Sequence, residues 1–81
     1  MKNLSALITG GTRGIGRCIA ENMLNEGLEV IITGKHMPEI LWWDKIEKCH
    51  CIISDLSTDE GVESIIDQAM DWNISILINN I

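Results

Sequence analysis

The chain has 81 residues, of which 46% are hydrophobic and 22% charged, and it contains neither Tyr nor Phe. This length corresponds to one small domain or to part of one, and the apolar content together with a single Pro excludes a disordered chain or a linker. Twelve acidic residues against six basic ones give a formal net charge of −6, which argues against nucleic acid as the main partner.

The first third of the chain predicts a strand followed by a helix. Residues 5–9 have strand character, and a pair of glycines ends them. From Ile15 onward, apolar residues recur at the spacing of a helix that buries one face. Gly27 lies where a helix ends in a left-handed residue, so we expect the helix to end there.

The next segment predicts a second strand and a short second helix. Residues 30–33 are β-branched throughout, which indicates a buried strand. Pro38 suits the first position of a helix, and residues 39–48 are therefore expected to form a helix over one edge of the sheet. The adjacent Trp42 and Trp43 are not expected to point into one core together, so one indole should be partly exposed.

The rest of the chain predicts a strand, a helix and a last strand. Residues 50–54 indicate the third strand, and Ser57 or Thr58 is a candidate cap for the helix that follows. That helix has the clearest apolar stripe of the sequence, at positions i, i+3, i+4, i+7 and i+8: Val62, Ile65, Ile66, Ala69 and Met70. Residues 74–78 indicate the fourth strand.

Strict alternation in the order β-α-β-α-β-α-β predicts an α/β fold, because parallel strands are joined by helical crossovers. Crossovers are right-handed in about 98% of cases. A fourth strand beside the first therefore places its helix on the opposite face from the earlier helices. The expected strand order is 3-2-1-4, with helices on both faces. Such an α/β sheet binds ligands at the carboxyl ends of its strands, at the point where the strand order reverses.

The turn after the first strand is rich in glycine, with the sequence TGGTRGIG at residues 9–16. A pyrophosphate requires a backbone that it can approach without Cβ atoms in the way, and N–H groups at a helix N-terminus to receive its charge. Gly10 is expected to make the tight turn, Gly14 to allow the phosphate close, and Gly16 to let the helix approach the strand. By itself this motif also fits a glycine-rich hairpin or a generic loop between a strand and a helix.

Three motifs together resemble the short-chain dehydrogenase/reductase family. The glycine turn matches the family's Thr-Gly-x-x-x-Gly-Ile-Gly cofactor motif, Asp55-Leu56 is similar to its Asp-Leu or Asp-Val pair, and residues 76–80 are similar to the start of its Leu-Val-Asn-Asn-Ala-Gly segment. The resemblance covers residues 6–80, but only about the first third of a typical member. It implies a Rossmann-type NAD(P)-binding domain, which residues 1–81 form in part and which ends after the fourth strand.

The resemblance implies a cofactor-binding role for each matching residue. Six residues of the turn would hold the pyrophosphate and the nearby ribose: Gly10, Thr12, Arg13, Gly14, Ile15 and Gly16. Asp55 would accept a hydrogen bond from the adenine amino group, with Leu56 beside the ring. Asn80 would contact the ribose region, and Asn79 would mainly tie the central strands together. Taken alone, Asp55 and the two asparagines also suit ordinary turns.

The end of the second strand favours NADP over NAD. An acidic residue about 20 positions past the glycines bonds the ribose hydroxyls of NAD, whereas a basic one accepts the additional phosphate of NADP. The strand is followed by Lys35 and His36, with no acidic residue before Glu39. Lys35, assisted by Arg13, is therefore expected to pair with the 2′-phosphate. The alternative for Lys35 is an ordinary solvated lysine of a loop.

The resemblance implies hydride transfer between nicotinamide and a carbonyl or alcohol carbon, with a Ser, a Tyr and a Lys as the catalytic residues. These lie beyond the fourth strand in the family, and this sequence contains no Tyr. We expect no catalytic residue here and no activity from this chain alone. Ile81 replaces a small residue of the family motif and suggests a premature stop or a frame change in a once longer gene.

Two alternatives to a cofactor-binding fragment follow from the same observations. One is an interaction module whose uncovered fourth strand pairs with a second copy or with another chain, because an exposed strand edge is a template for pairing. The other is a truncated gene product with no selected role.

The cysteines and the apolar segments indicate a setting in the cytoplasm. No apolar run approaches the roughly 20 residues that cross a bilayer, and the first residues lack the apolar region of a signal peptide. An odd number of cysteines indicates reduced thiols. Cys49 and Cys51 share one face of a strand that His50 does not, which predicts buried thiols and no metal site. Cys18 is expected to be a small residue packed in the first helix.

Overall fold

A computed structural model of the chain describes residues 4–80. These residues form four strands and two helices in the order β1-α1-β2-β3-α2-β4. The strands are β1 (Ser5–Ile8), β2 (Glu29–Gly34), β3 (Cys49–Ile53) and β4 (Ile74–Ile78). The helices are α1 (Gly14–Asn25) and α2 (Asp59–Ala69). The strands form one parallel sheet in the order β3-β2-β1-β4, which confirms the predicted order.

Helices cover both faces of the sheet, as predicted, with α1 on one face and α2 on the other. Ile8 and Ile32 point to the face that Ala20 of α1 covers, and all three are fully buried. The residues directly before them in the same strands, Leu7 and Ile31, point to the opposite face, where Ile65 of α2 covers them. Burial on both faces explains why these strands have continuous apolar runs instead of alternating apolar and polar residues. Neither helix within residues 4–80 has the length and the apolar character that crossing a membrane requires.

The predicted helix over residues 39–48 is wrong, because this segment forms successive turns. The Asp44 N–H donates to the Leu41 carbonyl at 3.1 Å, a bond that closes a turn and not a helical repeat. Adjacent side chains of an α-helix point about 100° apart, whereas these turns direct both indoles to the α1 face of the sheet.

The turns do bring both indoles onto the α1 face of the sheet, which corrects the expectation that they cannot share a core. Trp43 is 7% exposed. Trp42 packs edge to face on it, with ring centroids 5.6 Å apart. Trp42 is only partly buried, which confirms that one indole is partly exposed.

The start of α2 is capped as predicted, but its apolar stripe does not all face the core. Thr58 is the cap, and its Oγ1 accepts a hydrogen bond from the Gly61 N–H at 3.0 Å. Ile65 is only 5% exposed, whereas three other apolar residues of the stripe stay in contact with solvent: Val62, Ile66 and Met70.

The cysteines occupy different environments. Cys49 is 7% exposed and Cys51 is partly buried, both against the α1 face of the sheet, which confirms buried thiols in β3. Burial raises the pKa of Cys49 to about 12 and the pKa of Cys51 to about 11. Cys18, expected to be packed, is instead exposed, because Gly16 and Ala20 of α1 face the sheet and position 18 points away from it.

His50 lies on the α2 face of the sheet, opposite to the two buried thiols. Its Nε2 is 2.9 Å from Oε2 of Glu29, and its ring lies 5.0 Å from the ring of Trp72. Among residues 4–80, no three His, Cys, Asp or Glu side chains converge as metal ligands would.

We expect iodoacetamide at pH 8 to modify Cys18 in the folded chain, and to modify Cys49 and Cys51 only after unfolding. The thiolate is the reactive form, and burial disfavours it at both β3 positions. Mass spectrometry of peptides from samples labelled with and without denaturant measures this difference. Labelling of Cys49 in the folded chain at the rate of Cys18 would contradict its burial in β3.

The same raised pKa values give a pH dependence with a definite sign. Unfolded thiols have a pKa of 9.0, whereas the pKa of Cys49 in the folded chain is about 12. The free energy of unfolding should therefore not change with Cys49 ionisation below pH 9, and should fall as pH rises from 9 towards 12. The Cys49→Ala variant, compared with the natural chain over this range, isolates the contribution of this thiol.

Candidate functional site

The turn between β1 and α1 depends on glycine at two kinds of position. Gly10 and Gly14 have φ angles of 67° and 63°, in the left-handed region that only glycine enters without strain. Gly16 has another requirement, since a Cβ there would collide with the Gly10 carbonyl oxygen and the Asn80 side-chain amide. The start of α1 therefore lies in direct contact with the ends of β1 and β4, as the predicted role of Gly16 requires.

Two residues outside the glycine turn form hydrogen bonds with its backbone. Oγ1 of Thr33 accepts a hydrogen bond from the Gly10 N–H at 3.3 Å, and the Thr33 carbonyl accepts one from the Gly11 N–H at 3.0 Å. The indole Nε1 of Trp42 donates to the Thr12 carbonyl at 3.0 Å.

The motifs of the sequence include neither Thr33 nor Trp42 as a site residue. Thr33 carries a hydroxyl at the carboxyl end of an apolar strand, and that signal was available in the sequence. A partly buried indole usually bonds its N–H, but only the fold shows that Trp42 reaches the Thr12 carbonyl.

The N-terminus of α1 is open, in contrast to that of α2. Arg13 is the N-cap residue of α1, has extended backbone angles and makes no side-chain capping bond, and no acidic residue occurs in the first turn. In α2, Thr58 caps the helix, and Asp59 and Glu60 occupy its first turn. The first N–H groups of a helix carry partial positive charge and bind anions when no side chain satisfies them. A Cβ added at Gly14 would meet no atom within 4 Å, so the backbone there is open to a ligand.

The asparagine pair joins the ends of β4 and β1. The backbone N–H of Asn80 donates to Oγ1 of Thr9 at 2.9 Å, and its Nδ2 donates to the Gly10 carbonyl at 3.3 Å. Oδ1 of Asn79 accepts the Thr9 hydroxyl at 3.2 Å. Asn79 thus ties the central strands as expected, and Asn80 does so as well.

The carboxyl ends of β1 to β4 surround a cleft of about 260 Å³, which we call the first cleft. It is lined by Gly10, Thr33, Gly34, Lys35, Ser54, Asp55, Leu56, Ser57 and Asn80. Five residues predicted from sequence to bind a cofactor are in this set, although the chain brings them from four separate loops: Gly10, Lys35, Asp55, Leu56 and Asn80.

A second cleft of about 210 Å³ lies beside the first. It is lined by Thr12, Arg13, Lys35, His36 and Pro38, so Lys35 borders both clefts. The remaining predicted residues are at the start of α1 and line neither cleft. Gly14 and Ile15 are exposed there, Ile15 at 73%, so the expectation that Ile15 begins the buried stripe of this helix is wrong.

Asp55 is at once a turn residue and a wall of the first cleft. Its Oδ1 accepts the Ser57 hydroxyl at 2.6 Å and the Ser57 N–H at 2.9 Å. These hydrogen bonds hold the pKa of the Asp55 carboxyl below its usual value, with smaller contributions from the charges of Lys35 and His36. Oδ2 is 3.9 Å from Nζ of Lys35. One carboxylate oxygen therefore closes the turn, and the other is left for a ligand in the cleft.

The arrangement suits a ligand that combines phosphate groups with a ring bearing a hydrogen-bond donor. Open N–H groups and Arg13 offer positive charge at one end, while Leu56 and Asp55 offer an apolar surface and an acceptor at the other. Lys35 lies between these two ends.

Comparison with known proteins gives a consistent result. The sequence profile described as short chain dehydrogenase matches residues 4–81. A 3-oxoacyl-[acyl-carrier-protein] reductase of Aquifex aeolicus is 35% identical over 83 residues, covering 93% of this chain and 34% of the relative. An NADP-dependent (R)-specific alcohol dehydrogenase of Lentilactobacillus kefiri is 50% identical over 36 residues, 44% of this chain and 14% of the relative.

Among solved structures, a short chain dehydrogenase of Leptospira borgpetersenii with bound NAD+ superimposes with a TM-score of 0.80 and 26% identity. The match covers 98% of this chain and 31% of that one. Three curated relatives match at least 93% of this chain, but the chain spans only 28% to 34% of the length of each relative.

We expect Gly16→Ala to lower the free energy of unfolding by about 3 kcal/mol, because the new Cβ would collide with backbone. Gly14→Ala should cost only about 1 kcal/mol, because its Cβ would enter open space and only the positive φ is unfavourable. Urea denaturation followed by Trp fluorescence measures both. Equal effects would contradict the contact of α1 with the ends of β1 and β4.

Proposed function

The chain belongs to the short-chain dehydrogenase family, whose profile matches residues 4–81, and from this premise we propose that it is the NADP(H)-binding part of an oxidoreductase. The observation that carries the proposal is that groups able to bind a dinucleotide lie together at the carboxyl ends of the strands. There an open helix N-terminus, a carboxylate and two cationic side chains lie around two adjoining clefts.

The pyrophosphate would lie over the start of α1. Gly14 leaves the space that a Cβ would fill, and the first N–H groups of the helix have no side-chain cap to compete with a phosphate. Arg13, exposed at the N-cap position, adds a full positive charge. The residues present therefore fit the phosphates of a dinucleotide.

The adenosine half would occupy the first cleft. The hydrogen bonds to Ser57 use Oδ1 of Asp55, and Oδ2, which is 3.9 Å from Nζ of Lys35, suits the amino group of adenine. Leu56 is partly buried beside it and provides an apolar surface for the ring. Asn80 borders the same cleft, and the bond of its Nδ2 to the Gly10 carbonyl fixes the orientation of its amide.

The second cleft supports NADP over NAD. Its lining has two cations, Arg13 and Lys35, together with His36, and no acidic residue. A 2′-phosphate would bind between these side chains, whereas the ribose hydroxyls of NAD would find no carboxylate there. The similar proteins include one named NADP-dependent and one with bound NAD+, so the preference rests on the lining of this cleft.

The bound cofactor supplies a hydride donor or acceptor, and for the whole protein we propose transfer to or from a carbonyl or alcohol carbon. The residues of this chain have binding roles in that reaction. They form part of a dinucleotide-binding domain over residues 1–81, and three free thiols support a cytoplasmic location.

A specific observation also favours a second role for β4. Within residues 4–80, this strand pairs with β1 alone, so its other edge has unpaired backbone groups. Leu77 on this strand is 66% exposed. We propose that the free edge of β4 pairs with a second copy of the chain or with another polypeptide.

We expect the folded chain to bind NADPH more tightly than NADH, and Lys35→Gln to weaken NADPH binding by roughly tenfold but NADH binding by much less. The reason is that NADH lacks the 2′-phosphate with which this ammonium group would pair, although Lys35 borders the first cleft as well. Lys45→Gln is the matched control, since Lys45 is exposed and borders neither cleft. Isothermal titration calorimetry measures the affinity of the natural chain and of both variants for NADPH and for NADH. Absence of binding to a folded sample, or tighter binding of NADH, would refute the proposal.

Pairing through β4 predicts self-association that rises with concentration. Leu77→Lys should shift the chain towards monomer, because a lysine at an exposed strand edge opposes pairing. Ile40→Lys is the control, because Ile40 is 81% exposed but lies in the turns between β2 and β3. Sedimentation velocity measures the fractions of monomer and of associated chain for the natural protein and for both variants. A natural chain that stays monomeric at all concentrations would exclude pairing with a second copy.

A further inference from the structure

The second cleft has two walls, which come from distant parts of the sequence. Thr12 and Arg13 of the glycine turn form one wall, and Lys35, His36 and Pro38, which follow β2, form the other. Each wall carries one permanent cation, Arg13 on one side and Lys35 on the other. Because like charges repel each other, a bond between the walls is needed to hold both cations beside one cleft before an anion binds.

One hydrogen bond joins these two walls. The indole Nε1 of Trp42 donates to the Thr12 carbonyl at 3.0 Å, and Trp42 lies in the same turns as Pro38. Within residues 4–80, no other hydrogen bond connects the glycine turn with the segment between β2 and β3. Trp42 itself borders neither cleft, so it acts on the second cleft only through the walls.

The bond from Trp42 fixes more than a single carbonyl group. The Thr12 carbonyl and the Arg13 N–H belong to one planar peptide unit, so the bond also orients the backbone from which the Arg13 side chain begins. The Thr12 side chain is held at a second point, because a Cβ added to Gly34 would lie 2.7 Å from its Cγ2. Gly34 directly precedes Lys35, so Thr12 lies where the two walls meet.

The indole of Trp42 is itself held in place. The guanidinium carbon of Arg17 lies 5.2 Å from the Trp42 ring centroid, and Nε of Arg17 donates to Oε1 of Glu21 at 3.1 Å. Trp43, which is buried, packs edge to face on the same ring. An indole in contact with both a cation and a buried ring has little freedom to turn its N–H away from the Thr12 carbonyl.

We propose that Trp42 is a positioning residue through which the protein distinguishes NADP from NAD. Its hydrogen bond would hold Arg13 and Lys35 at the spacing at which both contact one 2′-phosphate. The walls would then be ordered before the phosphate arrives, which removes the cost of ordering them on binding. This role rests on the proposed function, because it requires that the second cleft receives the 2′-phosphate. NAD lacks that phosphate and would gain nothing from the spacing.

The variant Trp42→Phe tests this role, because it keeps an aromatic ring beside Arg17 and Trp43 but removes the N–H donor. We expect NADPH binding to weaken by about fivefold, the effect of one hydrogen bond, and NADH binding to weaken by less than about twofold. Isothermal titration calorimetry of the full chain measures both affinities. The ratio of the two affinities is decisive, because a variant that only lowers the folded fraction weakens the binding of both cofactors by the same factor.

Trp72→Phe is the matched control. Trp72 is also partly buried, but it packs on the α2 face of the sheet and borders neither cleft. Since it contacts neither wall, its replacement should leave the ratio of NADPH to NADH affinity within about twofold of the natural ratio.

A measurement on the natural chain does not depend on the folding of a variant. The indole N–H signal of Trp42 can be identified in an NMR spectrum by its Overhauser contacts with Arg17, which lies over the ring. Saturating NADPH should shift this signal more than saturating NADH does, because a phosphate beside Thr12 and Arg13 changes the electric field at the Thr12 carbonyl. The indole signal of Trp72 should respond equally to the two cofactors.

Failure of this role and failure of the proposed function give different results. A natural chain that prefers NADPH, together with an unchanged ratio in Trp42→Phe or an equal fall of the ratio in Trp72→Phe, would exclude the positioning role and leave the proposed function standing. Equal loss of both affinities in Trp42→Phe, or an equal response of the Trp42 signal to both cofactors, would do the same. A folded natural chain that binds neither cofactor, or that prefers NADH, would refute both.

Discussion

The site depends on the contact between the end of β1, the start of α1 and the end of β4. A side chain at residue 16 would occupy the position of the Gly10 carbonyl and the Asn80 amide, so the three elements meet only because this residue is glycine. The same contact directs the open N-terminus of α1 towards the carboxyl ends of the strands. Gly10 and Asn80, which are joined by a hydrogen bond and both contact residue 16, line the first cleft.

The segment between β2 and β3 shows how an irregular backbone completes the site. Trp43 is buried on the α1 face of the sheet, and Trp42 reaches from the same segment to the Thr12 carbonyl. Arg17 of α1 lies over the Trp42 ring, with its guanidinium carbon 5.2 Å from the ring centroid. The turns therefore join the glycine turn to the core, and they leave His36 and Pro38 as one wall of the second cleft.

Charge is separated along the chain. Arg13 and Lys35 lie at the clefts, whereas the charged residues of α2 are all acidic. Long-range attraction would therefore direct an anionic ligand to the carboxyl ends of the strands. One chain with a net charge of −6 thus has a local preference for an anion.

The sequence by itself determined the strand order, the two covering helices and the family, because these follow from local patterns: β-branched runs, helical spacing and glycines at fixed offsets. It also placed Asp55 and Asn80 at the ends of strands, where both line the first cleft. Only the tertiary structure decided the course of residues 39–48, the part of Thr33 and Trp42 in the glycine turn, and which apolar residues of α2 stay exposed. Periodicity shows that a face is apolar but not what covers it, and the packing of both indoles against the α1 face outweighs the local helix preference of residues 39–48.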